Sequence, residues 1–201
     1  MSPGRPLIVV LAGGEGRRIG GAKATRMLGV RTLLERALER AAGWSNEVAV
    51  AVRAAGQASA PESVRLLTDD PAIPGPLAGI ASALRFAAEC GAQTVLTLPC
   101  DAPFLPDDLV ERLSEALTPD AGVALARSGG QLHPTCALWR AGEGALAVLD
   151  AYAASGRGAL MGLADAVGWV AVDWPTEPLD PFFNVNTAED MARAEGLLEG
   201  R

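Results

Sequence analysis

Histidine and lysine are nearly absent from this chain of 201 residues. Lys23 is the only lysine among its 17 bases, so the other 16 are arginines, and His133 is the only histidine. The three cysteines are odd in number and form no Cys-x-x-Cys pair, which argues against a disulfide framework or a zinc site. A chain of this length buries enough apolar surface to fold without either. We therefore expect a reduced, cytoplasmic protein with small buried thiols.

Long apolar runs and an excess of positive charge are also lacking. The run Leu7–Ala12 is too short to cross a membrane and leads directly into Gly13, which predicts a buried strand and no membrane partner. The net charge of −7 argues against nucleic-acid binding, because proteins that bind nucleic acids carry basic surfaces. Residues 1–40 nevertheless hold eight bases and three acids, a net charge of +5, which leaves −12 for the remainder. This asymmetry predicts a small anionic ligand.

Short β-branched runs alternate with helical patterns along the chain. The alternation predicts an α/β fold with a mostly parallel sheet between two layers of helices, in one domain over residues 1–201. The predicted strands are Leu7–Ala12, Glu47–Val52, Val64–Thr68, Thr94–Pro99, Gly122–Ala126, Thr135–Trp139 and Trp169–Val172. The predicted helices are Thr32–Ala42, Leu77–Cys90, Asp107–Leu117, Gly144–Ala154 and Ala188–Leu198, the last capped by Thr187. A ligand is expected at the carboxyl ends of the strands.

A glycine-rich loop follows the first predicted strand and reads GGEGRRIGGAK over residues 13–23. It is not the dinucleotide pattern GxGxxG, because Ile19 stands where the third glycine would be. It is not the P-loop pattern GxxxxGK[ST] either, because Ala22 stands at the lysine position. What remains is a strand, a set of glycines with accessible backbone amides, and the bases Arg17, Arg18 and Lys23. This combination predicts a cradle for a triphosphate.

The run LAGGEGRRIGGAK over residues 11–23, followed by LGVRTLL over residues 28–34, resembles the signature of the molybdenum cofactor guanylyltransferases. The family pattern is LAGGxSxRMGxDK, and this chain departs from it at Gly16, Ile19 and Ala22. The resemblance implies a Rossmann-like fold of nucleotidyltransferase type. It also implies that the backbone of Leu11 and Ala12 lies near the guanine of a bound GTP.

Two acidic segments continue the resemblance. Asp69 and Asp70 precede the run GPLAGI at residues 75–80, and the resemblance implies that one of them contacts the nucleotide; we favour Asp70. Asp101 follows an apolar strand and precedes a turn bounded by prolines. That position suits Mg²⁺, which takes few protein carboxylates and keeps phosphate oxygens among its ligands. The resemblance to the family motif CDxPF likewise implies that Asp101 is the metal ligand.

Two further segments resemble parts of the family that face the pterin substrate. His133 and Pro134 match an HP motif, and a lone histidine before a predicted strand indicates a structural or substrate-contacting residue rather than a general base. Residues 182–187 match F-x-N-x-N-T, in which Asn184 and Asn186 point to the same side of an extended segment. Their amide donors and acceptors suit a polar heterocycle or a phosphate.

The implied reaction joins GTP to the phosphomonoester of molybdenum-bound molybdopterin and releases pyrophosphate. A phosphomonoester has a second pKa of about 6, so it is already an anionic nucleophile and needs no general base. Catalysis then rests on positioning and electrostatics. The implied roles are Mg²⁺ binding for Asp101, phosphate binding for the amides of Gly13, Gly14 and Gly16, and charge neutralisation for Lys23 with Arg17 or Arg18.

Other functions remain open from the sequence. A cytidylyltransferase that makes the cytosine form of the cofactor, or a sugar or alditol nucleotidyltransferase, would share most of these residues. A non-catalytic carrier of nucleotide or cofactor would be consistent with Ala22, which stands where the family has aspartate. The protein partners that the resemblance implies are a molybdenum-insertion protein and chaperones of molybdoenzymes.

Overall fold

The computed structural model describes residues 5–14 and 23–199, and a seven-stranded sheet forms its centre. Its strands are β1 (Leu7–Leu11), β4 (Val48–Val52), β5 (Arg65–Thr68), β6 (Thr94–Pro99), β7 (Val123–Ser128), β8 (Gln131–Arg140) and β9 (Trp169–Trp174). They lie in the order β5-β4-β1-β6-β8-β7-β9. β8 runs antiparallel to both of its neighbours, and the other pairs are parallel. The predicted mostly parallel sheet is confirmed.

Six α-helices are present in the described part of the chain, and they cover both faces of the sheet. They are α1 (Leu33–Trp44), α2 (Leu77–Glu89), α3 (Leu109–Ala116), α4 (Glu143–Ala154), α5 (Leu160–Val167) and α6 (Ala188–Glu199). A 3₁₀ turn at Lys23–Thr25 and a hairpin of β2 (Met27–Leu28) and β3 (Arg31–Thr32) precede α1. None of the described helices is long and apolar enough to cross a membrane.

The strands are apolar on both sides because each side packs against helices. In β1, Ile8 and Val10 belong to the core under α1 and α3, whereas Leu7 and Val9 belong to the core under α2, α4 and α5. All four side chains are at most 2% exposed. Burying such a side chain stabilises the fold by roughly 1.5–3 kcal/mol. The unbroken apolar run seen in the sequence is therefore what a sheet covered on both faces requires.

The starts of the first and last helices follow from local sequence. Thr32 accepts a hydrogen bond from the backbone N–H of Glu35 (3.1 Å), and the Glu35 carboxylate accepts one from the N–H of Thr32 (2.7 Å). The same reciprocal arrangement joins Thr187 and Asp190 at the start of α6 (3.1 and 2.9 Å). Each pair satisfies two N–H groups that the first helical turn leaves without partners. The predicted Thr187 cap is confirmed.

Three short elements were not predicted from the sequence: the 3₁₀ turn at Lys23–Thr25, the helix α5, and the hairpin of β2 and β3. The helix α5 is eight residues long, and periodicity cannot distinguish so short an apolar segment from a buried strand. The hairpin of β2 and β3 has only two residues in each strand and turns at Gly29, whose φ is +65°. The expectation of buried thiols holds for Cys100 and Cys136, whereas Cys90 is exposed.

The prediction for β8 was too short, and the difference changes the environment of His133. β8 begins at Gln131, so His133 lies within the strand rather than before it. Its pairing with β7 shifts between Leu125↔Ala137 and Ala126↔His133, which leaves residues 134–136 without partners on β7. Pro134 has no N–H to give to a ladder, and a bulge accommodates it. The bulge lies beside the end of β6, where the cleft described next opens.

Candidate active site

A cleft of about 350 Å³ lies at the carboxyl ends of β1, β4, β5 and β6, the position expected for a ligand site in such a sheet. Its walls combine the ends of these strands with the start of α2, one residue of β8 and the segment before α6. The lining residues are Leu11, Gly13, Gly14, Lys23, Ala51, Arg53, Asp69, Gly75, Pro76, Gly79, Pro99, Cys100, Asp101, Thr135 and Asn184.

Gly13 brings the backbone after β1 close to two neighbouring strands. A Cβ at this position would lie 3.1 Å from Asp69 Oδ2 and 3.4 Å from the backbone N of Arg53. Gly79 of α2 is similarly close to β1, since its Cβ would lie 3.1 Å from Leu11 Cδ2. These glycines keep the floor of the cleft as bare backbone, which a flat base or a phosphate can approach.

The backbone groups predicted to lie near the base are partly engaged within the sheet. Leu11 lines the cleft, and its carbonyl accepts a hydrogen bond from the N–H of Cys100 (3.2 Å). Ala12 is 1% exposed, and its N–H donates to the carbonyl of Ala51 (2.8 Å). Gly14 is exposed and lines the cleft. Gly16, Arg17 and Arg18 lie outside the described residues, so their assigned roles stay predictions.

The start of α2 supplies a second set of backbone donors. Pro76 precedes the helix and caps none of its N–H groups with a side chain. The first turn of a helix leaves its N–H groups without partners inside the helix, and the aligned peptide dipoles make this end positive. Pro76 and Gly79 both line the cleft. The GPLAGI run therefore places the start of a helix at the wall of the cleft.

The two neighbouring aspartates after β5 face different surroundings. Asp69 lines the cleft, and one of its carboxylate oxygens accepts a hydrogen bond from Ser82 Oγ (3.2 Å). Burial raises the pKa of this carboxyl, while Ser82 and Arg53 act in the opposite direction. Asp70 instead accepts from the backbone N–H of Ala72 (2.9 Å) and pairs with Arg85 (3.3 Å), on a different surface from the cleft.

Lys23 forms the centre of the polar part of the cleft. Its ammonium group donates to the Asp101 carboxylate and to the side-chain oxygen of Asn186 (2.7 Å). The side chains of Lys23 and Asp101 are 11% and 17% exposed. A buried charge is stable only when it is paired and hydrogen-bonded. The 3₁₀ turn contributes Lys23, the end of β6 contributes Asp101, and the segment before α6 contributes Asn186. Three residues that the sequence singled out separately are thus brought together.

The segment before α6 is joined directly to the end of β6. The backbone N–H of Val185 donates to the carbonyl of Asp101 (2.9 Å). Asn184 and Asn186 are the residues immediately before and after Val185 in the chain. Asn184 lines the cleft, and its side-chain oxygen is buried without a hydrogen-bond partner. A buried carbonyl oxygen without a partner is costly, and a ligand or cation in the cleft would satisfy it.

The donor groups here fit a single hard cation shared with phosphates. No group of three or more His, Cys, Asp or Glu side chains that could hold a metal occurs in residues 5–14 or 23–199. Mg²⁺ does not need such a group, since it commonly takes one or two protein oxygens and completes its shell with water and phosphate. Asp101 and the unpartnered oxygen of Asn184 supply that number. Burial raises the pKa of the adjacent Cys100 thiol to about 12, so this side chain stays neutral.

His133 lies beside the cleft but does not line it. Its Nε2 is 2.8 Å from Ser128 Oγ, and its ring stacks on Phe182. Thr135, two residues along the same strand, does reach the cleft. The sequence does not single out Thr135 or Arg53: the first depends on the bulge in β8 and the second only on where β4 ends.

Comparison with known proteins agrees with this geometry. A family model described as the MobA-like NTP transferase domain matches residues 8–166. The molybdenum cofactor guanylyltransferase of Cereibacter sphaeroides is 40% identical over 192 residues, which are 94% of this chain and 95% of that protein. The protein of the same name from Sinorhizobium fredii is 39% identical over 207 residues, 97% and 93% of the two chains.

Solved structures give the same result. Molybdopterin-guanine dinucleotide biosynthesis protein A from Archaeoglobus fulgidus matches with a TM-score of 0.78 and 25% identity, over 96% of this chain and 99% of that one. The 2-C-methyl-D-erythritol 4-phosphate cytidylyltransferase from Thermus thermophilus matches with a TM-score of 0.69 over 95% and 98%, and at 23% identity it shows a shared fold. Together with the cleft and the residues that line it, these matches show that the chain belongs to the molybdenum cofactor guanylyltransferase family of MobA-like NTP transferases.

Proposed function

We propose that this protein transfers GMP from GTP to the terminal phosphate of molybdenum-bound molybdopterin, giving molybdopterin guanine dinucleotide and pyrophosphate. The observation that carries the proposal is the cluster of Lys23, Asp101 and Asn186 at the end of a cleft whose other end is bare backbone beside Asp69. One end suits a triphosphate, and the other suits a base. The family membership supports the same assignment.

The base is proposed to lie over Gly13, between the ends of β1 and β5. Guanine presents two neighbouring N–H donors on its Watson–Crick edge, and a carboxylate can accept both. Asp69 is the carboxylate beside Gly13 at this end of the cleft, so we assign this contact to Asp69 rather than to Asp70, which the sequence favoured. Cytosine lacks this pair of donors, which gives the site a reason to prefer GTP over CTP.

The triphosphate is proposed to lie along Gly13 and Gly14 towards Lys23. The backbone amides and the ammonium group neutralise its charge, and the bases of residues 17 and 18 extend this role in the part of the loop that the structure does not describe. Asp101 and Asn184 would hold a divalent cation, with Mg²⁺ the ion that suits their oxygens. When bound, this ion supplies charge neutralisation at the α-phosphate and the departing pyrophosphate.

The chemical step needs positioning more than proton transfer. An oxygen of the acceptor phosphate forms a bond to the α-phosphorus of GTP, and the bond from that phosphorus to the bridging oxygen of the β-phosphate breaks. Pyrophosphate leaves with the electron pair. Since the acceptor is already an anion at neutral pH, no side chain has to remove a proton from it. Thr135 and Asn184 line the acceptor side of the cleft and are assigned to orienting it.

A pyrophosphate-release assay tests the proposal. Purified protein with GTP, Mg²⁺ and molybdenum-loaded molybdopterin is expected to release pyrophosphate and form the guanine dinucleotide. With CTP the reaction is expected to be at least about tenfold less efficient, because cytosine lacks the two N–H donors that Asp69 would accept. Equal or better use of CTP would make the protein a cytidylyltransferase. Binding of Mg·GTP without pyrophosphate release would make it a carrier.

A further inference from the structure

Three buried rings pack together where β8, the end of β9 and the segment before α6 meet. The imidazole of His133 lies on the ring of Phe182 with centroids 4.8 Å apart and an interplanar angle of 18°. Trp174 packs edge-on against the same phenyl ring, with centroids 5.3 Å apart. His133 and Ser128 are 9% and 2% exposed, and the 2.8 Å contact between them satisfies both polar groups. Neither side chain lines the cleft.

This stack holds one end of the segment that carries the site asparagines. Phe182 is two residues from Asn184 and four from Asn186, which accepts a hydrogen bond from Lys23. The segment is also held by the bond from the Val185 N–H to the Asp101 carbonyl and by the bonds from the Asn186 and Thr187 N–H groups to the Asp190 carboxylate. A short segment held at these points has little freedom to move its side chains, so displacement of Phe182 would shift Asn184, which lines the cleft, and Asn186, which contacts Lys23.

His133 also fixes the bulge that brings Thr135 to the cleft. It is the last residue of β8 that pairs with β7 before the three unpaired residues 134–136. Its bond to Ser128 joins the two strands. The turn between those strands packs on the loop that follows β9, since a Cβ on Gly129 would lie 3.3 Å from the Thr176 methyl group. His133 therefore links the strand that carries Thr135 to the segment that carries Asn184.

We propose that His133 is a positioning residue: held by Ser128, its ring supports Phe182 and so orients Asn184 and Asn186 on one side of the acceptor and Thr135 on the other, without touching a substrate. The inference rests on the proposed guanylyl transfer. Burial lowers the pKa of His133, while the Asp180 carboxylate acts in the opposite direction, so the ring is chiefly neutral at pH 7. Ser128 and Phe182 contact the ring, and the Asp180 carboxylate acts on it electrostatically.

The proposal is tested by comparing a variant that removes the ring at position 133 with one that keeps an aromatic ring but removes its polar groups. His133→Ala removes the support under Phe182 and is expected to lower kcat/KM for transfer by about 10- to 100-fold, the range for misplacing catalytic groups by about 1 Å. The double variant Ser128→Ala/His133→Phe keeps an aromatic ring and removes both polar partners, so no buried polar group is left without a partner. It is expected to stay within about threefold of the wild type, since a ring suffices.

The single histidine permits a second readout that does not depend on activity. In tag-free protein every imidazole signal in the proton NMR spectrum belongs to His133. Phe182→Leu is expected to shift those signals, because the ring current of the stacked phenyl is lost. The pH at which His133 titrates is expected to stay the same when Mg·GTP or inorganic phosphate is added, since a positioning residue does not contact the anion.

Three results would overturn the proposal. The first is a His133→Ala variant with transfer within twofold of the wild type. The second is a folded Ser128→Ala/His133→Phe variant as inactive as His133→Ala, which would indicate direct substrate contact. The third is a rise in the titration pH of His133 on adding phosphate. If the wild type itself releases no pyrophosphate, the proposed function fails first, and that result is distinguishable from all three.

Discussion

The ammonium group of Lys23 donates to the carboxylate of Asp101, 78 positions further along the chain, and to the amide oxygen of Asn186, 163 positions away. The only lysine of the chain is thus paired with the aspartate that is proposed to hold the cation and with one of the two site asparagines. The contact links the proposed phosphate side of the cleft to the proposed acceptor side, so in this assignment both sides depend on the position of this one ammonium group.

Removing either member of the central pair should abolish most of the activity. Lys23→Ala and Asp101→Ala are each expected to lower guanylyl transfer by at least about 100-fold, the scale for loss of one electrostatic stabiliser. Pyrophosphate release under saturating GTP measures this. Arg31→Ala is the matched control, because Arg31 makes an exposed ion pair with Glu39 (2.6 Å) and should retain full activity. Near-normal turnover of both site variants would contradict the assignment.

Replacing the lysine with arginine should also impair transfer. The Lys23 ammonium is a compact point charge held between two acceptors, and its side chain is only 11% exposed. A planar guanidinium is larger and presents its donors in a fixed fork, so it cannot bind both acceptors from the same place. Lys23→Arg is expected to lose at least about tenfold in kcat, with folding unchanged by circular dichroism. Activity equal to the wild type would mean that any cation suffices at this position.

Asp69 and Asp70, which follow β5, should contribute differently to nucleotide binding. Asp69→Asn is expected to weaken Mg·GTP binding by about tenfold or more, because the substitution replaces one of the two accepting oxygens with an NH2 donor, which faces an N–H group of guanine without bonding to it. Asp70→Asn should leave affinity within about twofold. Titration calorimetry with Mg·GTP measures both, and the reverse order of effects would return the role to Asp70.

Stability gives an independent check on Asp69. Because burial raises the pKa of Asp69 above its value in the unfolded chain, ionisation of the carboxyl disfavours the folded state. This cost is complete at pH values above the raised pKa and absent below the unfolded value. Asp69→Asn removes it at pH 7, so its Tm should equal or exceed that of the wild type. A lower Tm would show that the charged carboxylate serves the fold rather than the ligand.

The caps of α1 and α6 have the same hydrogen-bond arrangement, but only the cap of α6 adjoins a site asparagine. The Asp190 carboxylate accepts the backbone N–H groups of Asn186 and Thr187 (both 2.9 Å), which lowers the pKa of Asp190 and fixes the asparagine. Glu35 occupies the same position in the cap of α1, away from the cleft lining. Asp190→Ala should reduce transfer about tenfold by releasing Asn186, whereas Glu35→Ala should not. Similar losses in Tm with equal activities would contradict this role.

The fold could be predicted because its signals are local. The apolar run at residues 7–12, the glycines after it and the capping residues Thr32 and Thr187 each fix structure within a few positions. The predictions that failed concern elements whose structure is not decided by neighbouring residues in the sequence. α5 was too short to distinguish from a strand, and the start of β8 depended on pairing with β7 across a bulge.

The sequence by itself determined an α/β sheet, a glycine-rich loop ending in the only lysine, and a set of polar residues at strand ends. Only the tertiary structure decided which of them meet. Successive residues of an extended chain point to opposite sides, and packing placed Asp69 rather than Asp70 in the cleft. Likewise, burial turned His133 towards Ser128 and Phe182 rather than towards the cleft. Contacts between residues far apart in the chain arise from how strands and helices pack, which no local pattern records.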